Sequence, residues 1–478
     1  MAKKNMLSNL LRGEPDVQVK RVTHLAVDED PFERYTLFEA MYDSNNLYQQ
    51  VQKNSFEAGE WLETLQSIAT PCNRSVEFYA NRLLMGARVS STDTALADAI
   101  NIFLRDSNFD GQKDDYSREL AKSGDLFIKL KNDESKVFME KIEARHVTNV
   151  QTDSRGIVTE IRIDIPQDEG KTYTELWTLD GVGYCATWLH PYGIEADTSE
   201  LGSPSFYAPL SSYGITFIPI VYAKFKSTNK RAENCFVHAI SKIHEANRER
   251  SRLAELMYAF NQAIWTAYGS GLSKDGIYNP DPEVKFIKTD GSQVIQYVKG
   301  IGEWKSNIPD LDYQSHLAMF KDMREEMTLD LPEIKLNGLD PSQISGRAIQ
   351  QLLGESINRA KTARSNLSHA IKRLNMMAIT LGQFYGFFDR SLGNYVEGDF
   401  KHDLVCDAIV PLDPTDKTLM LQQATSAGMP LKSAMRFAEF TPSEIELAMQ
   451  DKAEEEASLA NSFLSNPNFL RDANKTGG

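Results

Sequence analysis

The feature that most constrains this fold is one long apolar stripe in the second half of the chain. Between residues 345 and 375, apolar side chains recur every three or four positions, as they do along one buried face of an α-helix. The stripe consists of Ile349, Leu352, Leu353, Ile357, Ala360, Ala363, Leu367, Ile371 and Leu374. We therefore predict one long helix that packs by this face against other elements.

The remaining surface of this predicted helix is basic. It carries six cations against a single acid, Glu355, in a chain whose formal net charge is −15. The cations are Arg347, Arg359, Lys361, Arg364, Lys372 and Arg373. We expect them to pair within or between subunits, for example with acidic residues at 322–326 or 451–456. Direct proximity to DNA is the alternative.

The period of the apolar pattern changes along the chain. Residues 31–104 have mainly helical spacing, whereas residues 124–223 alternate with a period of two, as in GIVTEIRIDI at 156–165. Helical spacing returns at 234–268 and at 311–328, on either side of a turn-rich stretch with two predicted strands, EVKFIK and QVIQYVK. These patterns predict an α+β fold with long helices, an antiparallel sheet and a small inserted module.

Composition narrows the class of protein. No apolar run approaches the ~18 residues of a membrane helix, and residues 1–13 lack the pattern of a signal peptide. The four cysteines are scattered, which is typical of a reducing compartment without disulfides. A net charge of −15 argues against a protein that coats DNA, but it allows one that surrounds DNA without gripping it.

Two short stretches come close to motifs for ligand binding. DEGKTY at 168–173 ends like a phosphate-binding loop, but Ile165 stands where that loop needs a glycine, so we predict a hairpin turn. DSNFDGQKDDYS at 106–117 begins like a calcium loop, but Ser117 stands in place of the bidentate glutamate. Calcium binding is the weaker alternative there, and a turn with helix caps is favoured.

No pattern of catalytic or cofactor-binding residues is present. His238 and His244 are six positions apart on a predicted helix, so the two rings cannot face one metal ion. The sequence also lacks a nucleophile elbow, a CxxC pair and a dinucleotide-binding loop. We therefore predict no catalytic residue, no metal, no cofactor and no enzymatic activity.

The order of the elements and three local stretches resemble the portal proteins of tailed bacteriophages. The stretches are CNRSVEFYANRLLMG (72–86), SRELAKSGDLFIKLKND (117–133) and PSQISGRAIQQLL (341–353). They are similar to an early helix that ends in glycine, to a helix-to-strand step in the wing, and to a loop before a long helix. The resemblance covers residues 35–460.

The resemblance implies an elongated portal fold with named parts. These are an N-terminal arm (1–30), a wing of helices and antiparallel strands (31–233), a stem helix (234–268), a small α/β clip (269–310), a second stem helix (311–333), a tunnel loop (334–345), a long wing helix with a return segment (346–415), crown helices (416–464) and a C-terminal tail (465–478).

The same resemblance implies a ring of about twelve copies at one capsid vertex of a virion, assembled in the host cytoplasm. Double-stranded DNA would pass through it during packaging and ejection. Its other implied partners are the large terminase subunit, the major capsid and scaffolding proteins, and the head-completion or tail adaptor proteins; no membrane is implied.

Two groups of residues are candidates for contacts with these partners. In the tunnel loop and the start of the next helix, the candidates for facing DNA are Lys335, Asn337, Ser342, Gln343 and Arg347. In the clip, the candidates for contacting the motor or a connector are Lys285, Lys288, Lys299, Trp304 and Lys305. The alternative for Trp304 is a place in the core of that small module.

Two other functions stay open at this point. One is a different non-enzymatic scaffold or adaptor of the virion. The other, less favoured, is a packaging enzyme that processes nucleic acid. Such an enzyme needs a phosphate-binding loop or clustered metal-binding carboxylates, and the first of these is absent from the sequence.

Overall fold

The structure is a computed structural model of the 478-residue chain. It describes residues 31–43, 71–133, 135–167, 170–191, 201–227, 231–261, 264–269, 284–289, 292–297, 302–307, 313–336, 346–398, 400–410, 414–438, 440 and 442–464. The chain divides into two compact units. The first combines Met1–Val76 with Asn234–Ile334, and the second combines Glu77–Glu233 with Lys335–Gly478.

The helices of the described residues are, in chain order, α1 (Pro31–Asp43), α2 (Cys72–Ala80), α3 (Thr94–Asp106), α4 (Phe109–Ser123), α5 (Ile240–Asn261), α6 (Tyr313–Asp330), α7 (Gly346–Leu352), α8 (Gly354–Tyr385), α9 (Pro414–Ser426), α10 (Leu431–Phe437) and α11 (Pro442–Leu464).

The strands are β1 (Arg88–Ser91), β2 (Asp125–Asn132), β3 (Val137–Ile142), β4 (Val147–Thr152), β5 (Val158–Gln167), β6 (Lys171–Thr178), β7 (Tyr184–Pro191), β8 (Phe206–Pro209), β9 (Ile220–Lys224), β10 (Ile264–Gly269), β11 (Val284–Thr289), β12 (Ser292–Tyr297), β13 (Gly302–Asn307) and β14 (His402–Val405). Together with the helices they confirm the predicted α+β class.

The antiparallel pairing predicted for residues 124–223 is confirmed, but the strands form two sheets instead of one. One is five-stranded in the order β4-β5-β6-β7-β8, and the other is three-stranded in the order β3-β2-β9. On β5, Ile161 and Ile163 are buried while Arg162 between them is half-buried, because successive side chains point to opposite faces of a sheet. Gln167 pairs with Lys171 across the following turn. The GKT stretch therefore belongs to a hairpin, as predicted, and opens no helix.

The long apolar stripe packs in the core of the second unit. Helix α8 contacts β3, β9, β14 and α3. The buried members of the stripe are Leu353, Ala360, Ala363, Leu367, Ile371 and Leu374. One detail of the prediction is wrong, because the helix breaks at Leu353, whose φ and ψ are −91° and 5°. Gly354 follows directly, and glycine is a weak helix former.

The stretch at 106–117 does not form a calcium loop. Helix α3 ends at Asp106 and α4 already begins at Phe109, so most of the stretch is helical. Asn108 makes the tight turn between the two helices with a left-handed φ of 50°. Asp110 pairs with Lys113 at 3.0 Å, as a charged pair on a helix does. The turn interpretation is therefore confirmed.

The predicted helix at 234–268 is wrong in its last part. Helix α5 ends at Asn261, and Ile264–Gly269 forms strand β10, which pairs with β13 from Ile264 opposite Asn307 to Gly269 opposite Gly302. A short apolar run rich in branched and aromatic residues fits a strand as well as a helix, and periodicity does not separate the two. The segment becomes a strand because β13 pairs with it.

The inserted module forms a four-stranded sheet in the order β11-β12-β10-β13. The two predicted strands are confirmed as β11 and β12, and the structure adds β10 and β13. Strand β10 runs parallel to β12 and antiparallel to β13. The helical component expected for this module is not found among its described residues.

The first unit has its own core around α1 and the start of α5. The rings of Phe38 and Phe236 meet edge to face with their centroids 5.7 Å apart. The hydroxyl of Ser75 donates to the buried carboxylate of Glu333 at 3.1 Å. Lys242 of α5 pairs with Asp330 at the end of α6 at 2.9 Å. These contacts connect the start of α5 and the end of α6, the two predicted stem helices, to the same core.

Candidate functional site

The candidate channel loop is covered only in part by the described residues. Lys335 lies in a 3₁₀ turn, Pro332–Leu336, and its side chain is half-buried. Arg347 lies in the first turn of α7. Asn337, Ser342 and Gln343 lie outside the described residues. Contact between this loop and DNA therefore stays a prediction.

The candidate clip residues lie on opposite edges of the four-stranded sheet. Lys285 and Lys288 belong to β11, which is one edge strand, and Trp304 and Lys305 belong to β13, which is the other. Neighbouring strands are ~4.8 Å apart, so the two edges are separated by about 14 Å. The fold thus presents these residues as two groups. Lys299 lies outside the described residues.

Most of the basic residues of the long helix α8 make contacts within the chain. Arg364 is the clearest example, because its guanidinium donates to three main-chain carbonyls. Nε bonds Leu83 O at 2.9 Å, Nη1 bonds Asp407 O at 2.6 Å, and Nη2 bonds Arg82 O. Burial lowers the pKa of Arg364 below its usual value, but the neighbouring Cys406 and Asp407 oppose this shift. We refer to these residues as the Arg364 cluster.

The Arg364 cluster joins three separate parts of the second unit. The N–H of Asp407 also donates to the carbonyl of Met85 at 2.9 Å. Gly86 follows with a φ of 63°, and a Cβ atom at Gly86 would lie 2.0 Å from the carboxylate of Asp407. The glycine that the sequence places after the early helix is therefore required both by its backbone conformation and by this close approach.

Arg373 holds the turn between β4 and β5. Its guanidinium donates to Gly156 O at 3.0 Å and to Arg155 O. The side chain of Asp153 closes the same turn by accepting from the N–H of Ile157 at 2.8 Å. Desolvation by burial lowers the pKa of Arg373. This arginine therefore fastens the five-stranded sheet to α8.

Two further cations of α8 pair with carboxylates. Lys372 contacts Asp403 of β14 at 2.6 Å, and this hydrogen bond lowers the pKa of Asp403. Arg359 contacts Glu355 one turn earlier at 2.5 Å. Lys361 is exposed. The prediction that the helix cations pair is thus confirmed within the chain for Lys372 and Arg359. Pairing between copies with acidic residues at 322–326 or 451–456 stays a prediction.

A buried polar pair that the sequence did not indicate lies beside Lys372. Asn375 of α8 and His402 of β14 are both buried, and Asn375 Nδ2 lies 3.2 Å from His402 Nε2. Burial, and then the charge of Lys372, lowers the pKa of His402 from 6.5 to about 4. The imidazole is therefore neutral at physiological pH. No local pattern reveals a contact between residues so far apart in the chain.

Two absences concern the described part of the chain only. Within it, no group of three or more His, Cys, Asp and Glu side chains lies close enough together to hold a metal ion. None of the helices described above is both long and apolar enough to cross a membrane.

One protein family matches this sequence over most of its length. The family model described as "Phage portal protein, SPP1 Gp6-like" matches residues 33–457. A search of curated proteins finds no match.

Three solved structures illustrate what the fold is similar to. "Neck of native GTA particle computed with C12 symmetry" matches at 10% identity and a TM-score of 0.44, covering 78% of this chain and 90% of that chain. "Neck of empty GTA particle computed with C6 symmetry" matches at 10% identity and a TM-score of 0.43, covering 90% and 100%. "Virion of native gene transfer agent (GTA) particle" matches at 11% identity and a TM-score of 0.39, covering 88% and 94%.

Proposed function

Because the chain belongs to the SPP1 Gp6-like phage portal protein family, we propose that it forms a ring at one vertex of a phage-like capsid. Double-stranded DNA passes through this ring during packaging and ejection. The ring also docks the large terminase subunit, and later the head-completion and tail adaptor proteins. The observation that carries the proposal is the family match over residues 33–457.

The charge of the chain supports the role of a conduit. Twelve copies at −15 each would carry a formal charge of −180, which repels the DNA backbone. Proteins that hold DNA tightly do so through many lysine and arginine contacts to phosphates. Arg359, Arg364, Lys372 and Arg373 instead contact groups of their own chain. A channel through which DNA slides needs such a surface, because a strongly basic wall would retain the DNA.

Within this function, the segment at 334–345 is the proposed channel loop and the four-stranded sheet is the proposed docking module. Lys335, Asn337, Ser342, Gln343 and Arg347 are the proposed loop contacts to DNA. The two edge strands β11 and β13 carry the proposed contacts to the motor and to the connector. Edge strands are exposed to partners by their position, and lysines on them also protect the sheet from unwanted pairing.

The proposed role requires no chemistry from this chain. It requires a closed assembly, an open passage and surfaces for partners. We propose accordingly that the protein acts in the virion as a structural component, while the energy for DNA movement comes from the docked motor.

Electron microscopy of the purified protein, together with mass determination by light scattering, tests the proposal. We expect closed rings of about a dozen copies with a central opening. A protein that stays monomeric at all concentrations, or that hydrolyses ATP or cuts DNA on its own, would overturn it.

A further inference from the structure

The last helix of the described chain is exposed on all sides over two turns. Every side chain from Asp451 to Ser458 of α11 is exposed, whereas Ile445 near the start of the helix is buried against its neighbours. A helical segment gains little stability in water unless one of its faces is covered. A surface that covers this part of α11 would therefore stabilise it.

The exposed face of α11 combines one apolar residue with three acids. Leu447 is 62% exposed, and Asp451, Glu454 and Glu455 follow it at helical spacing along the same face. The one lysine of this stretch, Lys452, pairs with Glu456 at 3.8 Å. Within the part of the chain that the structure describes, the three acids of this face form no ion pair.

Helix α10 exposes a face of the opposite kind. Phe437 is 58% exposed, and Lys432 and Arg436 precede it on the same exposed side. The other side of α10 is buried through Ala434 and Met435. Neither of the two cations forms an ion pair with any of the described residues.

We propose that the exposed face of α10 on one copy binds the exposed face of α11 on the neighbouring copy. Phe437 packs on Leu447, and Lys432 and Arg436 face Asp451, Glu454 and Glu455. This inference rests on the proposed ring. Two different faces meet in it, so the contact runs head to tail and closes when the rotation between copies closes.

The spacing along the two helices fits this pairing. Lys432 lies about 7.5 Å and Arg436 about 1.5 Å before Phe437 along α10, and the acids lie about 6 to 12 Å beyond Leu447 along α11, at 1.5 Å per residue. When the helices run antiparallel and are aligned at the two apolar residues, Lys432 comes level with Asp451. Arg436 then lies about 4.5 Å along the axis from Asp451, a distance that its long side chain spans.

The occupant is another copy of this chain for two reasons. Each copy supplies both halves of the contact, and both halves are exposed within one chain, where α10 and α11 pack by other faces. DNA is repelled by the acidic face, and the electrostatic match is between α10 and α11 themselves. Such complementarity gives a contact its register and partner choice, because like charges placed together are costly.

Cysteine cross-linking in the full chain tests the contact directly. The variant Phe437→Cys/Leu447→Cys is expected to give a ladder of covalent multimers under mild oxidation. Each single variant is expected to give no ladder, because in a head-to-tail contact position 437 of one copy meets position 447 of the next copy and never another position 437. The wild-type chain controls for Cys72, Cys185, Cys235 and Cys406, of which the first three are buried. A double variant without a ladder, in a preparation that forms rings, overturns the proposal.

Charge reversal tests the electrostatic half of the contact. Lys432→Glu/Arg436→Glu and Glu454→Lys/Glu455→Lys should each raise the protein concentration needed for ring formation by about tenfold, and their combination should largely restore it. Arg105→Glu/Lys141→Glu is the matched control for Lys432→Glu/Arg436→Glu, because it replaces two cations by two acids at exposed residues of other elements. Equal effects of this control and of Lys432→Glu/Arg436→Glu, or no recovery in the combination, overturn the proposal.

The outcomes separate this inference from the proposed function. If the wild-type chain forms rings, both charge-reversal variants form them equally well and the double-cysteine variant gives no ladder, then the α10–α11 contact is wrong and the portal role is unaffected. A wild-type chain that never forms rings removes both.

Discussion

The guanidinium of Arg364 donates to the main-chain carbonyl of Leu83 at 2.9 Å, although the two residues are 281 positions apart in the chain. This bond and its two companions connect the middle of α8 to the turn after α2 and to the segment after β14. The positive charge of α8 at this point therefore has a structural role, since the guanidinium satisfies three part-buried main-chain carbonyls.

Replacing Arg364 should destabilise the second unit strongly. Arg364→Met removes three hydrogen bonds and leaves three carbonyls without their donor, which typically costs about 3 to 5 kcal/mol of unfolding free energy. Urea unfolding followed by circular dichroism measures the change. Lys361→Met on the exposed side of the same helix is the control and should change the unfolding free energy by less than about 0.5 kcal/mol. Similar changes in unfolding free energy for the two variants would show that the Arg364 cluster does not stabilise the second unit.

The close approach of Gly86 to Asp407 predicts that an alanine at position 86 destabilises the fold in two separable ways. Gly86→Ala places a side chain at a left-handed φ, which lowers the unfolding free energy by roughly 1 to 2 kcal/mol, and its Cβ also lies 2.0 Å from the carboxylate of Asp407. Gly428 has a φ of 85° with nothing within 4 Å of an added Cβ, so Gly428→Ala has the backbone effect alone.

We therefore expect Gly86→Ala to lower the unfolding free energy by about 1 to 3 kcal/mol more than Gly428→Ala does. Adding Asp407→Ala to Gly86→Ala should recover part of this difference, because the clashing carboxylate is removed. Thermal unfolding of the single and double variants measures it. Equal effects of the two glycine substitutions would contradict the close approach.

His402 should make the protein sensitive to acid. Its pKa in the folded chain is about 4, below the 6.5 of an unfolded histidine, so the unfolded state binds the proton more readily. The resulting stability is fully present above about pH 6.5 and is lost as the pH falls towards 4, by about 3 kcal/mol in total.

The measurement is the difference in unfolding free energy between wild type and His402→Asn at several pH values. This difference should shrink between pH 6.5 and 4. A His402→Asn profile that stays parallel to that of the wild type would falsify the assignment.

The proposed channel loop predicts a separation between assembly and packaging. Deleting residues 336–344 should leave ring formation intact while reducing DNA packaging or retention, because the loop is proposed to contact DNA and not the neighbouring copy. Ring formation is measured by light scattering and packaging by protection of DNA from nuclease. Normal packaging and retention by the deletion variant would show that the loop has no such role.

Much of the secondary structure is predictable from the sequence, because it depends on local spacing. The part of the stripe from Ala360 to Leu374 has one helical period and becomes the buried side of α8. The alternation at 156–165 becomes strand β5 within an antiparallel sheet. Strand β10 was not predictable from spacing, because a six-residue apolar run fits the helical and the strand period equally well. Only its pairing with β13 shows that it is a strand.

The candidate site was likewise predictable only in part. The order of the elements and the three quoted stretches were sufficient to indicate the portal family, and spacing alone excluded a phosphate-binding loop at 168–173. Which cations of α8 are available to a partner was decided by the tertiary structure. Arg364 and Arg373 reach carbonyls of Leu83 and Gly156, which are more than two hundred positions away. Hydrogen bonds and burial depend on distance in space, whereas a periodic pattern records only distance along the chain.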